Sequence, residues 1–252
     1  MARVITISSG KGGVGKTFFS INLSRALSLL DLKTLLIDYN LTTPNVSINL
    51  GLGQEKNNIH KYLRGEVSIR KCIKKYKENF HIIPGSLNIE DLIDISAERL
   101  NEGVLKLYND FDYIIIDSAA GIGKEALESL KSAEEVLIIT NVEKSSLLDA
   151  YRLIKVLGKL DIKVFGVVIN KVKKKNIDYI KIERFLGKEI VGIIHYDENV
   201  QKSMDYGIPL LDYDINSIAS KDILEIAKEI SGKEIKEKES KLNKILSIFK
   251  WR

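Results

Sequence analysis

The sequence predicts an α/β fold in which a mostly parallel central sheet is flanked by helices on both faces. Three observations predict it. Short apolar runs of strand length alternate with longer segments of helical periodicity, the order that builds a parallel sheet covered on both sides. The first run, Arg3-Val4-Ile5-Thr6-Ile7-Ser8-Ser9, leads directly into the glycine-rich string Gly10-Lys11-Gly12-Gly13-Val14-Gly15-Lys16-Thr17, which opens a helical segment. A later run, Tyr113-Ile114-Ile115-Ile116-Asp117, is an apolar strand ending in a carboxylate. Such a strand beside the first would deliver Asp117 to the carboxyl edge of the sheet, where ligands gather.

Taken in order, strands are expected at 4–8, 34–38, 80–83, 113–117, 136–140, 164–169 and 190–194, with a short edge piece at 209–211. Helical periodicity places helices at 16–30, 57–64, 90–108, 124–132, 145–159, 177–187, 197–206 and 217–230. These elements make one domain over residues 1–230. Residues 231–240, Ser-Gly-Lys-Glu-Ile-Lys-Glu-Lys-Glu-Ser, cannot bury an apolar face and read as a charged tether. The last segment, 241–252, stands apart from both.

The glycine-rich string fits G-x-x-x-x-G-K-[ST] between a strand and a helix, the context a phosphate-binding loop requires. Glycines let successive backbone N–H groups turn inward around a polyphosphate, and the following helix adds its positive end. Lys16 then reaches the β- and γ-phosphates, and the Thr17 hydroxyl ligates Mg²⁺. The chain is therefore expected to bind a nucleoside triphosphate with Mg²⁺.

Composition narrows the class. A chain of 252 residues with 44% apolar content supports a large core. The single cysteine, Cys72, forbids an internal disulfide, excludes a cysteine-based metal site within one chain and fits a reducing, cytoplasmic setting. His60, His81 and His195 are too far apart to form a metal motif. No signal peptide is expected, because the phosphate-loop strand starts at once, and no apolar run approaches the ~18 residues of a membrane span. Of the net charge of +5, four units sit in 241–252, which leaves +1 for the rest. That near-neutral body does not advertise nucleic acid as a partner. The lysines over 171–175 read as a solvated loop without aromatic residues for base stacking.

The string Lys11-Gly12-Gly13-Val14-Gly15-Lys16-Thr17 resembles the deviant phosphate loop of the MinD/ParA family of P-loop ATPases. The resemblance implies that Lys11 reaches across a dimer interface to the nucleotide held by the other subunit, so that ATP is both ligand and dimer glue. It casts Gly10 through Phe18 (Gly10, Lys11, Gly12, Gly13, Val14, Gly15, Lys16, Thr17, Phe18) as ATP-binding, although Phe18 stands where the family usually has a hydroxyl residue. Asp117-Ser118-Ala119-Ala120-Gly121 is similar to the family's D-S-P-A-G switch, with Ala119 in place of proline. Asp117 would then act on the Mg²⁺, and the Gly121 N–H would sense the γ-phosphate. Asn170 corresponds to the family's adenine-reading asparagine. His195, where proline is usual, is assigned no role.

The clearest departure is in Leu36-Ile37-Asp38-Tyr39-Asn40, where the family has Asp-x-Asp. Asp38, near the metal, is retained, while the position that orients the attacking water is Asn40. A neutral amide still hydrogen-bonds a water but cannot accept its proton. Hydrolysis slowed by roughly 10²–10⁴-fold is expected, with ATP binding kept.

In the last segment Leu242, Ile245, Leu246 and Phe249 form one helical stripe, flanked by Lys241, Lys244, Lys250 and the interface-favouring Trp251. This pattern fits a short helix in the headgroup layer of an anionic membrane, strengthened when a dimer presents two copies. The resemblance then implies a MinD-like ATPase: an ATP-dependent homodimer, peripheral on the inner face of the cell membrane, that positions other proteins through a protein partner or activator. A DNA-partitioning ATPase and a hydrolysis-poor, ATP-locked scaffold are the alternatives.

Overall fold

The structure, a computed structural model, describes residues 1–173 and 176–233. The expected membrane helix at 241–252 and most of the charged tether lie outside the described residues. In chain order the elements are β1 (Arg3–Ser8), α1 (Lys16–Leu29), β2 (Thr34–Tyr39), α2 (Val46–Asn49), α3 (Ile59–Leu63), β3 (Lys74–Lys77), β4 (Phe80–Ile83) and α4 (Arg99–Leu107). They continue as β5 (Tyr113–Ser118), α5 (Lys124–Lys131), β6 (Glu135–Thr140), α6 (Lys144–Lys159), β7 (Val164–Val172), α7 (Tyr179–Leu186), β8 (Ile190–His195), α8 (Asn199–Asp205), α9 (Leu210–Tyr213) and α10 (Ile218–Ser231).

The strands form one sheet in the order β3-β4-β2-β5-β1-β6-β7-β8. Every pairing is parallel except β3 with β4. The period-2 alternation of strand side chains divides the core between the two faces. On one face Ile5, Ile7, Leu36, Ile115, Leu137 and Ile139 pack against α1 and α10 through Phe19, Leu23, Leu27, Ile223 and Ala227. On the other, Val4, Leu35, Ile37, Ile114 and Ile116 meet Tyr62, Leu100, Val104 and Leu107. Farther along that sheet Val136, Ile138, Val167 and Ile169 meet Leu130, Ala150, Leu153 and Leu157. Near-continuous apolar strands are the consequence of burial on both sides.

Three expectations are corrected. Residues 209–211 form no edge strand. Leu210 and Leu211 are both buried in the one-turn helix α9, which follows Pro209, and three residues are too few to separate the two periodicities. The helix expected over 90–108 is broken. A 3₁₀ turn at Ile89–Leu92 ends before Asp94, whose φ of 60° is left-handed, and α4 begins only at Arg99. Strand β3 was not expected, because Lys-Lys-Tyr-Lys carries one apolar side chain and gains its order from pairing with β4.

The loops at the carboxyl ends of β2 and β4 are joined by a buried histidine. The backbone N–H of Ser86 donates to His60 Nδ1 at 3.0 Å, which fixes the proton on Nε2. Nε2 then donates to the Leu41 carbonyl at 3.0 Å. Burial holds His60 below its ordinary value of 6.5. A histidine depressed in the folded state contributes stability that is complete above its unfolded value and is lost as pH falls below it. In thermal unfolding the His60 contribution therefore lowers Tm as pH falls below 6.5, opposed over the same range by the buried carboxyl of Asp38, which is pushed up to about 8. His60→Gln, which keeps an amide donor toward Leu41, should make that fall shallower. The half-buried His81, also depressed by burial, sustains the remainder.

Candidate nucleotide-binding site

Strand register builds the centre of the site. In the β2–β5 ladder Asp38 lies opposite Asp117, and in the β1–β5 ladder Ile7 lies opposite Asp117. Residues directly opposite in a parallel pair share a face, so the two carboxylates stand side by side at the carboxyl edge of the sheet. Both are fully buried.

Around Asp117 the contacts come from α1. Thr17 Oγ1 donates to Oδ2 at 2.6 Å, Lys16 Nζ reaches Oδ1 at 3.3 Å, and the Ser20 hydroxyl lies 2.9 Å from Oδ1. Asp38 has less support. Its Oδ2 accepts the Val46 N–H at 3.0 Å and its Oδ1 the Asn40 N–H at 3.4 Å. Burial first, and then the neighbouring Asp117 charge, push Asp38 up to about 8, against the opposing pull of those N–H groups and Lys16. Lys16 answers one of the two carboxylate charges and leaves the pair short of positive charge. A hard divalent cation held by oxygen ligands supplies it, and the donors present (Thr17, Asp38, Asp117) are all oxygen. Among the described residues no cluster of three or more His, Cys, Asp or Glu forms a metal cage. Two carboxylates beside a threonine hydroxyl suit Mg²⁺, which takes one or two carboxylates together with phosphate oxygens.

The loop above the pair is shaped by two tight approaches. A Cβ on Gly10 would lie 2.3 Å from the Asp149 carbonyl group, so the loop rests directly on the α6 backbone. Gly15 has φ of 99° and would carry a Cβ 2.3 Å from Asn170 Nδ2. It opens α1 with no side-chain cap, and no acidic residue occupies the first turn. The free N–H groups and the helix dipole are thereby left for an anion. The loop, α1, β7 and the segment after β8 enclose a cleft of about 1030 Å³, large enough for a nucleotide.

Other expected site residues fall in and around this cleft. Phe18 buries its ring in the core and offers no polar side-chain contact. Lys11 is exposed, with Nζ 3.5 Å from the Ser145 hydroxyl of α6 and not turned into its own site. The Gly121 N–H donates to the Ser9 carbonyl at 2.8 Å, so reaching a γ-phosphate requires that bond to be exchanged. Asn170 is buried and donates to the Val14 carbonyl at 2.7 Å, while its Oδ1 accepts the Lys171 N–H at 2.8 Å. Its amide donor braces the phosphate loop at Val14 while its oxygen is held by the neighbouring Lys171 of β7, which leaves one N–H and one lone pair of the amide uncommitted to these two bonds. Asn40 lies at the cleft. Its Nδ2 donates to the Thr43 carbonyl at 2.7 Å, and its Oδ1 accepts the Thr43 hydroxyl at 3.2 Å.

Three participants escape a reading of the sequence alone. Ser20 touches Asp117; its position three residues after Thr17 on one helical face was the available signal. Lys171, read as part of a solvated loop, donates to the Gly13 carbonyl at 2.9 Å and ties β7 to the phosphate loop. His195 lines the cleft, held by Asp222 through its backbone N–H at 2.8 Å and through Nδ1 at 2.9 Å.

Comparison with known proteins agrees with this geometry. The family described as AAA domain matches residues 2–179. An uncharacterized ATP-binding protein of Methanocaldococcus jannaschii is 33% identical, over 98% of both chains. The septum site-determining protein MinD of Thermotoga maritima is 35% identical, over 92% of this chain and 89% of that protein. The structure of the septum site-determining protein MinD of Pyrococcus horikoshii, solved with Mg-ADP, superposes with a TM-score of 0.87 at 30% identity, covering 92% of this chain and 96% of that one.

Lys16 is the direct test of the cleft. Lys16→Met removes one cation and its charge-assisted hydrogen bonds, and calorimetric titration should show ATP affinity lowered about 10–100-fold. An unchanged affinity would mean that the nucleotide binds elsewhere.

Proposed function

The chain belongs to the MinD/ParA family of P-loop ATPases, and from that membership we propose that it is an ATP-driven, membrane-associating switch that positions other proteins in the cell. ATP and Mg²⁺ are its cofactors. Bound Mg²⁺ neutralises charge on the β- and γ-phosphate oxygens. Lys16 and the open N-terminus of α1 would hold the polyphosphate, while Asp38 and Asp117, beside Thr17, would hold the metal.

The observation that carries the switch reading is the placement of Lys11. Its side chain is exposed and lies along α6 rather than in its own cleft, which leaves it available to a nucleotide held by a second copy. A cation supplied in trans makes dimerisation depend on ATP, in the manner of an arginine finger. Membrane attachment rests on the amphipathic stripe of Leu242, Ile245, Leu246 and Phe249 with Trp251 and the basic Lys241, Lys244 and Lys250. No helix among the described residues is long and apolar enough to cross a membrane. The protein would reside in the cytoplasm and dock peripherally on the inner face of the membrane when ATP has paired two tails. Hydrolysis would release it, and a protein partner or activator would set the timing.

A second reading is favoured by one observation: the Asn40 amide is engaged with Thr43 at both ends and carries no charge. On that reading the protein is an ATP-locked scaffold that recruits partners with little turnover.

Sedimentation with anionic liposomes tests the main proposal. The full chain should pellet with ATP and not with ADP, and a chain ending at residue 239 should pellet with neither. Lys11→Met should leave monomer ATP affinity within about twofold and abolish the ATP-dependent dimer, since the lost contact is made in trans. Pelleting that ignores the nucleotide would remove the switch. Turnover separates the two readings of hydrolysis: Asn40→Asp should raise kcat by about 10²–10⁴-fold if the amide is the brake. An unchanged kcat would clear Asn40 of that role.

A further inference from the structure

We propose that Glu125 is a positioning residue that ties the Asn40 loop to the segment expected to sense the γ-phosphate, so that the two move together. The inference rests on the sensing role given to Gly121.

Glu125 sits in the first turn of α5 and is half-buried. Its carboxylate divides between two groups of a loop 84 residues earlier in the chain. Oε1 accepts the Leu41 N–H, and Oε2 accepts the Thr42 hydroxyl at 3.1 Å. Hydrogen bonds to a carboxylate are the stronger kind, and two from one side chain fix orientation as well as distance. The carbonyl of the same Leu41 accepts from His60 Nε2. Leu41 is thus gripped at both ends, by His60 on the α3 side and by Glu125 on the α5 side. Asn40 is the residue immediately before it.

The α5 grip stands next to a segment that must rearrange for sensing. Gly121, with φ of 82°, gives its N–H to the Ser9 carbonyl of the phosphate loop. Only Ile122 separates it from Gly123, whose carbonyl already accepts the first α5 bond, from the Leu127 N–H at 2.9 Å. With so short a connection, drawing Gly121 from Ser9 toward a γ-phosphate carries the start of α5 with it. Glu125 then pulls on the Leu41 N–H. Asn40 is reoriented at its neighbouring peptide, while its own amide stays closed on Thr43. A shift made at one phosphate sensor thereby reaches the residue set beside the attacking water.

The test is amide hydrogen exchange by NMR at Gly121 and Leu41 in the full-length protein, with Mg·ADP and with Mg·adenylyl imidodiphosphate. In the wild type both amides should change exchange rate between the two nucleotides. In Glu125→Ala the Gly121 response should persist. Leu41 should exchange about tenfold faster in both states and lose its dependence on nucleotide, as follows from losing one hydrogen bond to a charged group. Glu125→Gln keeps an Oε1 acceptor for Leu41 and should retain the coupled response, which a role confined to fold stability would not predict. A wild type in which Gly121 responds and Leu41 does not would overturn the coupling and spare the sensing role. So would a Leu41 amide that still follows the nucleotide in Glu125→Ala. Should neither wild-type amide respond, the sensing role falls and the coupling with it. The wild-type comparison and Glu125→Gln decide the matter even if Glu125→Ala does not fold.

Discussion

Parallel register sets Asp38 of β2 and Asp117 of β5 at the same level of adjacent strands, about 4.8 Å apart in the ladder direction, on one face and out of water. Two carboxylates so placed do not both stay ionised without positive charge close by: burial first, and then the Asp117 charge, push Asp38 up to about 8. The surroundings answer it in part. Lys16 and the Thr17 and Ser20 hydroxyls converge on Asp117, and the Val46 N–H turns to Asp38. What they leave unmet suits a divalent cation carrying phosphate. Affinity for Mg·ATP is in this sense a deficit in the protein that the ligand completes.

The same pair determines where movement is possible. Each carboxylate sits at or near the end of its strand, so the loops that leave β2 and β5 begin beside this buried charged pair. Asp38 holds the start of α2 through Val46, and the segment after Asp117 reaches the phosphate loop through Gly121 and Ser9. Both loops are thus tied at their roots to the place where a ligand would change the charge balance. The rest of the sheet, packed with apolar side chains on both faces, gives those roots a fixed reference.

The chemistry-bearing core was legible because its signals are local. A glycine string between strand and helix, and an apolar run ending in Asp117, each specify an environment within a dozen residues. The seven principal strands were legible for the same reason, since burial on both faces writes itself as unbroken apolar runs. What the sequence hides is made by contacts between distant segments. His60 joins Leu41 to Ser86, Lys171 joins β7 to Gly13, and Glu125 joins α5 to Leu41. No periodicity marks any of them. Strand β3, almost all lysine, and the left-handed Asp94 that splits 90–108 are likewise set by what surrounds them rather than by their own composition.

Asn40 shows how the two demands on this site oppose each other. Asn40 stands two residues after Asp38 and gives its backbone N–H to Asp38 Oδ1 at 3.4 Å, and a carboxylate side chain there would add negative charge to the neighbourhood of a pair already short of positive charge. An aspartate would also face the Thr43 carbonyl with no proton to donate, where the Asn40 amide donates at 2.7 Å. The neutral residue thus relieves the repulsion and closes the loop. A neutral amide hydrogen-bonds a water but accepts no proton from it. The closure of the loop and the needs of a general base differ at this one side chain, and the residue present meets those of the loop. Under the proposed switch, such a residue would lengthen the ATP-bound state, the state that pairs two copies.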